Sequence, residues 1–132
     1  MAQETREKEL AEKFIDALRE LEANENVEPI VGLYADDCEI GNVTLTENLQ
    51  GPEGAREFWT TYRKTFDTIT SEFRNKLGTD GAAALEWTSS GTTQNGHEFS
   101  YEGVSMIEYE GDKITRFYAY FNPGKLGNQI ME

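Results

Sequence analysis

Groups able to do acid–base or nucleophilic chemistry are plentiful in this sequence but dispersed. It holds 25 acidic residues, one cysteine and one histidine. Cys38 reads as a small buried strand residue and His97 lies beside a turn signal, so no Cys–His nucleophile is implied. A single cysteine also rules out an internal disulfide. Asp36 and Asp37 fall where a helix gives way to a strand and read as solvated turn residues. Glu86 stands between Leu85 and Trp87 in a strand. Turned inward, its desolvated carboxylate would have a raised pKa and become the leading general acid or base. Ala55, Phe58, Trp59, Tyr62 and Phe66 recur at steps of three and four. That aromatic stripe either packs a core or lines a pocket. No glycine-rich phosphate loop and no His, Cys and carboxylate cluster at ligand spacing is present, so neither cofactor nor metal is expected.

The elements that must position these groups can be read from punctuation and period. Asp80-Gly81, Asn95-Gly96 and Glu110-Gly111-Asp112 are tight-turn signals. Between them lie Thr68–Thr79, Ala82–Gln94, His97–Tyr109 and Lys113–Asn122, rich in Thr, Tyr, Phe, Ile and Val and free of proline. Short turns force antiparallel neighbours, and strands this long must twist and curl around what packs on them. The helices come earlier. Leu10, Phe14, Ala17, Leu18 and Leu21 form one apolar stripe over residues 4–23, and Glu28–Tyr34 predicts a short second helix. Cys38–Asn42 predicts a short strand and Val43–Gln50 a loop. Gly51-Pro52 starts the third helix, since proline is tolerated in a first turn. The last ten residues, from Pro123, predict a tail folding back over the cone mouth. The expected architecture is a single α+β domain over residues 1–132, a cone-shaped curved antiparallel sheet wrapped around three N-terminal helices.

Composition narrows the function. The net charge of −13 argues against nucleic acid and anionic membranes as partners. No apolar run approaches a membrane span and the first residues read as polar helix, so the expected location is the cytoplasm.

The order of elements, with Val31-Gly32-Leu33-Tyr34-Ala35-Asp36-Asp37 and Gly51-Pro52-Glu53-Gly54-Ala55-Arg56-Glu57-Phe58, resembles the nuclear transport factor 2-like superfamily. Within it the chain is most similar to the SnoaL-like (polyketide cyclase-like) and ketosteroid isomerase-like proteins. Glu86-Trp87-Thr88 and the run from Asp112 to Asn122 fit the same pattern, the latter also resembling the last strand of limonene epoxide hydrolase. The resemblance implies the cone fold and covers nearly the whole chain. It is weak for function, because one fold hosts many chemistries. Ketosteroid isomerases need a tyrosine, a carboxylate base and a protonated aspartate; the resemblance puts Phe14, Asn42 and Ser105 at those positions. The epoxide hydrolase relay falls on Glu86, Thr88 and Ala119, with its water-holding tyrosine and asparagine at Ile40 and Asn42. Of that set only the asparagine survives.

Two strand parities remain open. The ungapped family match points Glu86, Thr88 and Ser90 into the cone, whereas the apolar alternation puts Ala83, Leu85 and Trp87 there. The apolar pattern is favoured, because burying an unpaired carboxylate is expensive. The expected cavity is then Phe14, Leu18, Tyr34, Asn42, Phe58, Trp59, Tyr62, Phe73, Trp87, Tyr101, Ser105, Phe117 and Phe121. It suits a hydrophobic small molecule held by shape. The leading expectation is a small-molecule-binding protein without a recognisable catalytic set. The alternative is an isomerase, cyclase or hydrolase working by acid–base catalysis; a pure interaction module has less support. The outer sheet face, with Val104, Met106, Ile114, Tyr118 and Tyr120 among Glu102, Glu108 and Arg116, predicts a homodimer.

Overall fold

The computed structural model describes residues 2–130, with side chains described from residue 9 to residue 129. Helix α1 spans Ala2–Asn24 and presents Leu10, Phe14, Ala17, Leu18 and Leu21 as one buried face. Helix α2 is a single turn, Glu28–Val31, with proline at its start. It is shorter than expected because Tyr34 already begins strand β1 (Tyr34–Asn42). Asp36 and Asp37 are therefore exposed strand residues rather than a turn, where the register slips between Tyr34 and Glu39. The expected loop ends in a two-residue strand, β2 (Leu49–Gln50), which pairs with β1. Helix α3 spans Gly51–Thr65.

Four long strands follow: β3 (Thr68–Thr79), β4 (Ala82–Thr92), β5 (Glu98–Glu110) and β6 (Lys113–Phe121). Their turns work as the sequence implies; Gly81 and Gly96 sit at φ 80° and 82°, where other residues are strained. The sheet order is β2-β1-β6-β5-β4-β3. All neighbours run antiparallel except β1 and β6, which are parallel. That pair brings the chain's first and last long strands together and leaves β1 one short strand from the sheet edge, with β6 and β5 at its centre.

Helices α1 and α3 cover the concave face, α1 on β3 and α3 on β1. Helix α4 (Pro123–Ile130) folds the tail back against β5; residues 131–132 lie outside the described residues. Its anchor is Gln129, whose amide nitrogen donates to the Ser100 carbonyl (2.9 Å) and whose amide oxygen accepts from the Ser100 N–H (2.8 Å). Gln129 thus completes the β5 edge just beyond the point where β6 pairing ends at Gly103–Phe121.

One face assignment changes. Ile114, expected on the outer face, is fully buried in the core. The register shifts between Glu108 and Tyr109, so Tyr109 pairs with Ile114 and Glu108 with Arg116. Such a bulge reverses side-chain parity beyond it.

Candidate functional site: a layered aromatic cavity

Strand register stacks the concave side chains in rows. The deepest row is Asn42–Ala119–Ser105–Leu85 across β1, β6, β5 and β4, and all of it but Leu85, which is buried in the core, lines the cavity. The next row is Phe73–Trp87–Gly103–Phe121, and above it Ser71–Ser89–Tyr101. Gly103 is there for room. A Cβ on it would sit 2.7 Å from the Trp87 ring, so only glycine lets the indole lie across β5. The Trp87 indole N–H donates to Ser105 Oγ at 2.9 Å.

The helices close the other side. Phe14 and Leu18 come from α1; Phe58, Trp59 and Tyr62 come from α3. Phe117 from β6 packs against Phe14, Phe58 and Trp59 with ring centroids 5.2–5.9 Å apart. Between helices and sheet is a cavity of about 450 Å³. Its mouth is framed by Thr44, Leu45 and Leu49, by the α3 edge Glu57, Thr61 and Thr65, and by Pro123, Leu126 and Gly127 of α4.

Phe14, Asn42, Phe58, Trp59, Tyr62, Phe73, Trp87, Tyr101, Ser105, Phe117 and Phe121 all line this cavity. Tyr34 does not. It is buried behind the lining, where its hydroxyl accepts a 3.0 Å hydrogen bond from the Trp59 indole N–H. It braces a wall residue instead of touching the space. Asn42 is partly occupied, its side-chain oxygen accepting from the Thr44 backbone N–H (2.8 Å) and hydroxyl (2.6 Å).

Glu86 faces away. Ala83, Leu85, Trp87 and Ser89 are the buried residues of β4, while Glu86 is outside the cavity lining and its carboxylate accepts a hydrogen bond from the Asn75 side chain. The bulge that decides parity lies in β3, between Phe73 and Asn75, not in β4. Glu86 therefore has no access to a molecule in the cavity, and its assignment as the acid or base is withdrawn.

The carboxylate that does reach the site is Glu22, near the end of α1. It is only 5% exposed. Its Oε1 accepts from the Ser71 backbone N–H (2.9 Å); its Oε2 accepts from Ser71 Oγ (2.6 Å) and the Tyr62 hydroxyl (2.7 Å). Ser71 Oγ also lies 2.6 Å from Ser89 Oγ. Burial pushes the Glu22 pKa up, against the pull of those hydrogen bonds and of the nearby Arg63 charge. Arg63, itself buried, donates to the main-chain carbonyls of Glu22 (3.1 Å) and Phe66 (3.0 Å). Burial and the Glu22 charge raise the pKa of Tyr62 and of Tyr101, so both phenols stay protonated. A signal for Glu22 existed: Phe14, Leu18 and Glu22 step by four along one helix face, which makes an acid on the apolar stripe.

Among the described residues no three His, Cys, Asp or Glu side chains gather as metal ligands, and no helix is long and apolar enough to cross a membrane.

Solved structures share this architecture at low sequence identity. TerC, co-crystallized with polyporic acid, superimposes with a TM-score of 0.82 at 16% identity, over 96% of this chain and 99% of that one. An NTF2-like protein from Anabaena variabilis gives 0.82 at 17% identity, over 92% of each chain. A protein of ketosteroid isomerase-like fold from Catenulispora acidiphila, in complex with trimethylamine, gives 0.78 at 13% identity, over 90% of this chain and 92% of its own. Identities this low establish the fold and not the activity. No curated protein matches the chain in sequence. The SnoaL-like domain model matches residues 11–117, from the apolar face of α1 to the cavity wall of β6, and the chain belongs to that family.

Proposed function

We propose that this protein binds an apolar, ring-containing small molecule in the cone. The observation that carries this is the cavity of about 450 Å³, walled by aromatic side chains from both helices and four strands. Its volume lies in the range that holds drug-sized ligands. Two neighbours of the same fold were crystallised with small molecules, polyporic acid and trimethylamine, which supports the reading without naming the ligand here. The positions that resemble the ketosteroid isomerase set carry Phe14, Asn42 and Ser105, none of them an acid or base at neutral pH, and Glu86, the one acid at a position of the epoxide hydrolase set, lies outside the cavity lining. Native mass spectrometry of freshly purified protein is the test. A retained adduct above the 15.0 kDa chain is expected. Bare protein that also fails to take up an apolar fluorescent probe such as anilinonaphthalene sulfonate would count against the reading.

Acid–base catalysis is the second reading, and Glu22 favours it: a buried carboxylate with a raised pKa, one hydroxyl away from the cavity. Recovering the adduct chemically unchanged after prolonged incubation keeps the binder; conversion makes the protein an enzyme.

The convex face supports a second proposal, a homodimer. Val104, Met106 and Tyr118 are half-buried there and Tyr120 is 48% exposed. The Tyr118 and Tyr120 rings touch at 4.8 Å, and Arg116 lies 5.4 Å from the Tyr118 ring centre. Arg116 pairs within its own chain, with Glu108 (3.2 Å) and Glu39 (3.8 Å), and so is not free to answer a partner's acid. The attraction then rests on the apolar centre. Light scattering should give twice 15.0 kDa, and Tyr118→Glu should halve it; a wild-type mass that stays at 15.0 kDa ends the proposal.

A further inference from the structure

The polar row of the cavity carries more than a place for a ligand, because its protons can be counted. Ser71, Ser89 and Tyr101 lie side by side across β3, β4 and β5, with Glu22 and Tyr62 reaching the same level from α1 and α3. The convergence of three donors on one side chain is the environment of a carboxylate. A serine hydroxyl has one proton, and that of Ser71 goes to Glu22. In the 2.6 Å contact between Ser71 and Ser89, Ser89 must then be the donor. Tyr62 likewise gives its proton to Glu22. Both Tyr62 and Ser89 line the cavity, and both therefore present only lone pairs to it. Tyr101 differs. Its side chain is 7% exposed, it lines the cavity, and no described residue hydrogen-bonds its hydroxyl. Its proton is uncommitted and has nowhere polar to go but the cavity.

We infer that this row recognises a hydroxyl group on an otherwise apolar ring system, the ligand O–H donating to Tyr62 or Ser89 while its oxygen accepts from Tyr101. A carbonyl could satisfy only Tyr101, and an ammonium only the two acceptors; a hydroxyl is the smallest group that does both. Glu22 is a positioning residue here. It touches no ligand, yet it fixes which way the wall hydroxyls point. A buried group left without its partner is penalised more than the partner is worth, and this sharpens the choice. The inference rests on the reading of the cavity as a small-molecule site.

Calorimetry with the intact chain and four probes decides it: naphthalene, naphthol, methoxynaphthalene and acetonaphthone. Naphthol is expected to bind about tenfold more tightly than naphthalene or methoxynaphthalene, the scale of one or two net hydrogen bonds. Tyr101→Phe should remove most of that preference. Glu22→Gln makes a specific reversal. Its amide nitrogen donates to Tyr62 and Ser71, which pushes the Tyr62 and Ser89 protons into the cavity, so acetonaphthone should gain on naphthol. A purely structural role for Glu22 would weaken all four probes together. If naphthol and methoxynaphthalene bind wild type equally, the hydroxyl assignment falls and the small-molecule reading stands. If none of the four binds at millimolar concentration, both fall. Circular dichroism reports whether Glu22→Gln folds; should it not, the wild-type series and Tyr101→Phe still decide.

Discussion

The two ends of the cone are made from the same strands and behave differently. At the closed end Leu85, Ile107 and Ile114 join Ile40, Ile30 and Leu21 in one core cluster, each at most 1% exposed. At the open end Phe66, Ile69, Trp87, Phe99, Tyr101 and Leu126 form a second cluster, each of them 3–8% exposed. Between the clusters lies the cavity. The closed end is aliphatic and interlocks, as protein interiors must to gain dispersion energy. The open end is aromatic, and its rings meet edge-on or stacked, as Phe66 and Phe99 do at 4.6 Å. Rigid rings can wall a void that branched aliphatic chains would collapse into. The lesson is a division of labour along the strand: stability lies at one end, and the other is free to hold something else.

That division makes Leu85→Ala the most damaging change. Leu85 is wholly buried among closed-end residues, and truncation leaves a hole the neighbours cannot fill. A loss of about 2–5 kcal/mol is expected in urea unfolding. Should the loss be under about 1 kcal/mol, the closed end is not the stabilising half.

Ala119→Leu sharpens the comparison by filling the void instead of making one. Ala119 sits between Asn42 and Ser105 in the deepest row and faces the cavity. The added methylenes enter empty space, so stability should rise by about 0.5–1 kcal/mol while probe affinity falls. Unfolding as severe as that of Leu85→Ala would mean that the cavity end is as tightly packed as the closed end.

The sequence announces this division unevenly. The hairpins are visible because Asp80-Gly81 and Asn95-Gly96 are local signals, and a connection of two residues, or of the five at 93–97, leaves the chain no choice of neighbour. Trp87 inside and Glu86 outside follow from alternation with Ala83 and Leu85, against the ungapped family match. Ile114 could not be placed the same way, because the register shift that turns it inward has no sequence mark of its own. The parallel pairing of β1 with β6 joins residues some eighty positions apart and leaves no local trace either. Tyr34 looked like pocket because aromatic residues serve equally as lining and as bracing. Glu22 was readable as an acid on an apolar helix face; its partners Ser71 and Ser89, on two further strands, were not.

The smallest expected effect separates the two regions by the sign of a pH dependence. Burial raises the Glu22 pKa above its ordinary value of 4.5. A carboxyl whose folded pKa is raised adds stability below its unfolded pKa and loses it as pH climbs through the folded one. Wild type should therefore lose stability relative to Glu22→Gln as pH rises from the unfolded value through the raised one. The Arg63, Tyr62, Ser71 and Tyr101 groups that face Glu22 are the same in both proteins and largely cancel. Glu28, exposed on the outside, runs the other way: the Arg56 guanidinium holds its pKa below 4.5, so its contribution is present above that value and fades as pH falls. Glu28→Gln should thus close on wild type in acid, by less than the Glu22 change because solvent screens the pair. Urea midpoints for the three proteins, taken across the carboxylate range, read both slopes in one experiment. Parallel slopes for Glu22→Gln and Glu28→Gln would mean that Glu22 is as well solvated as a surface residue, and the cavity's polar row would lose its buried charge.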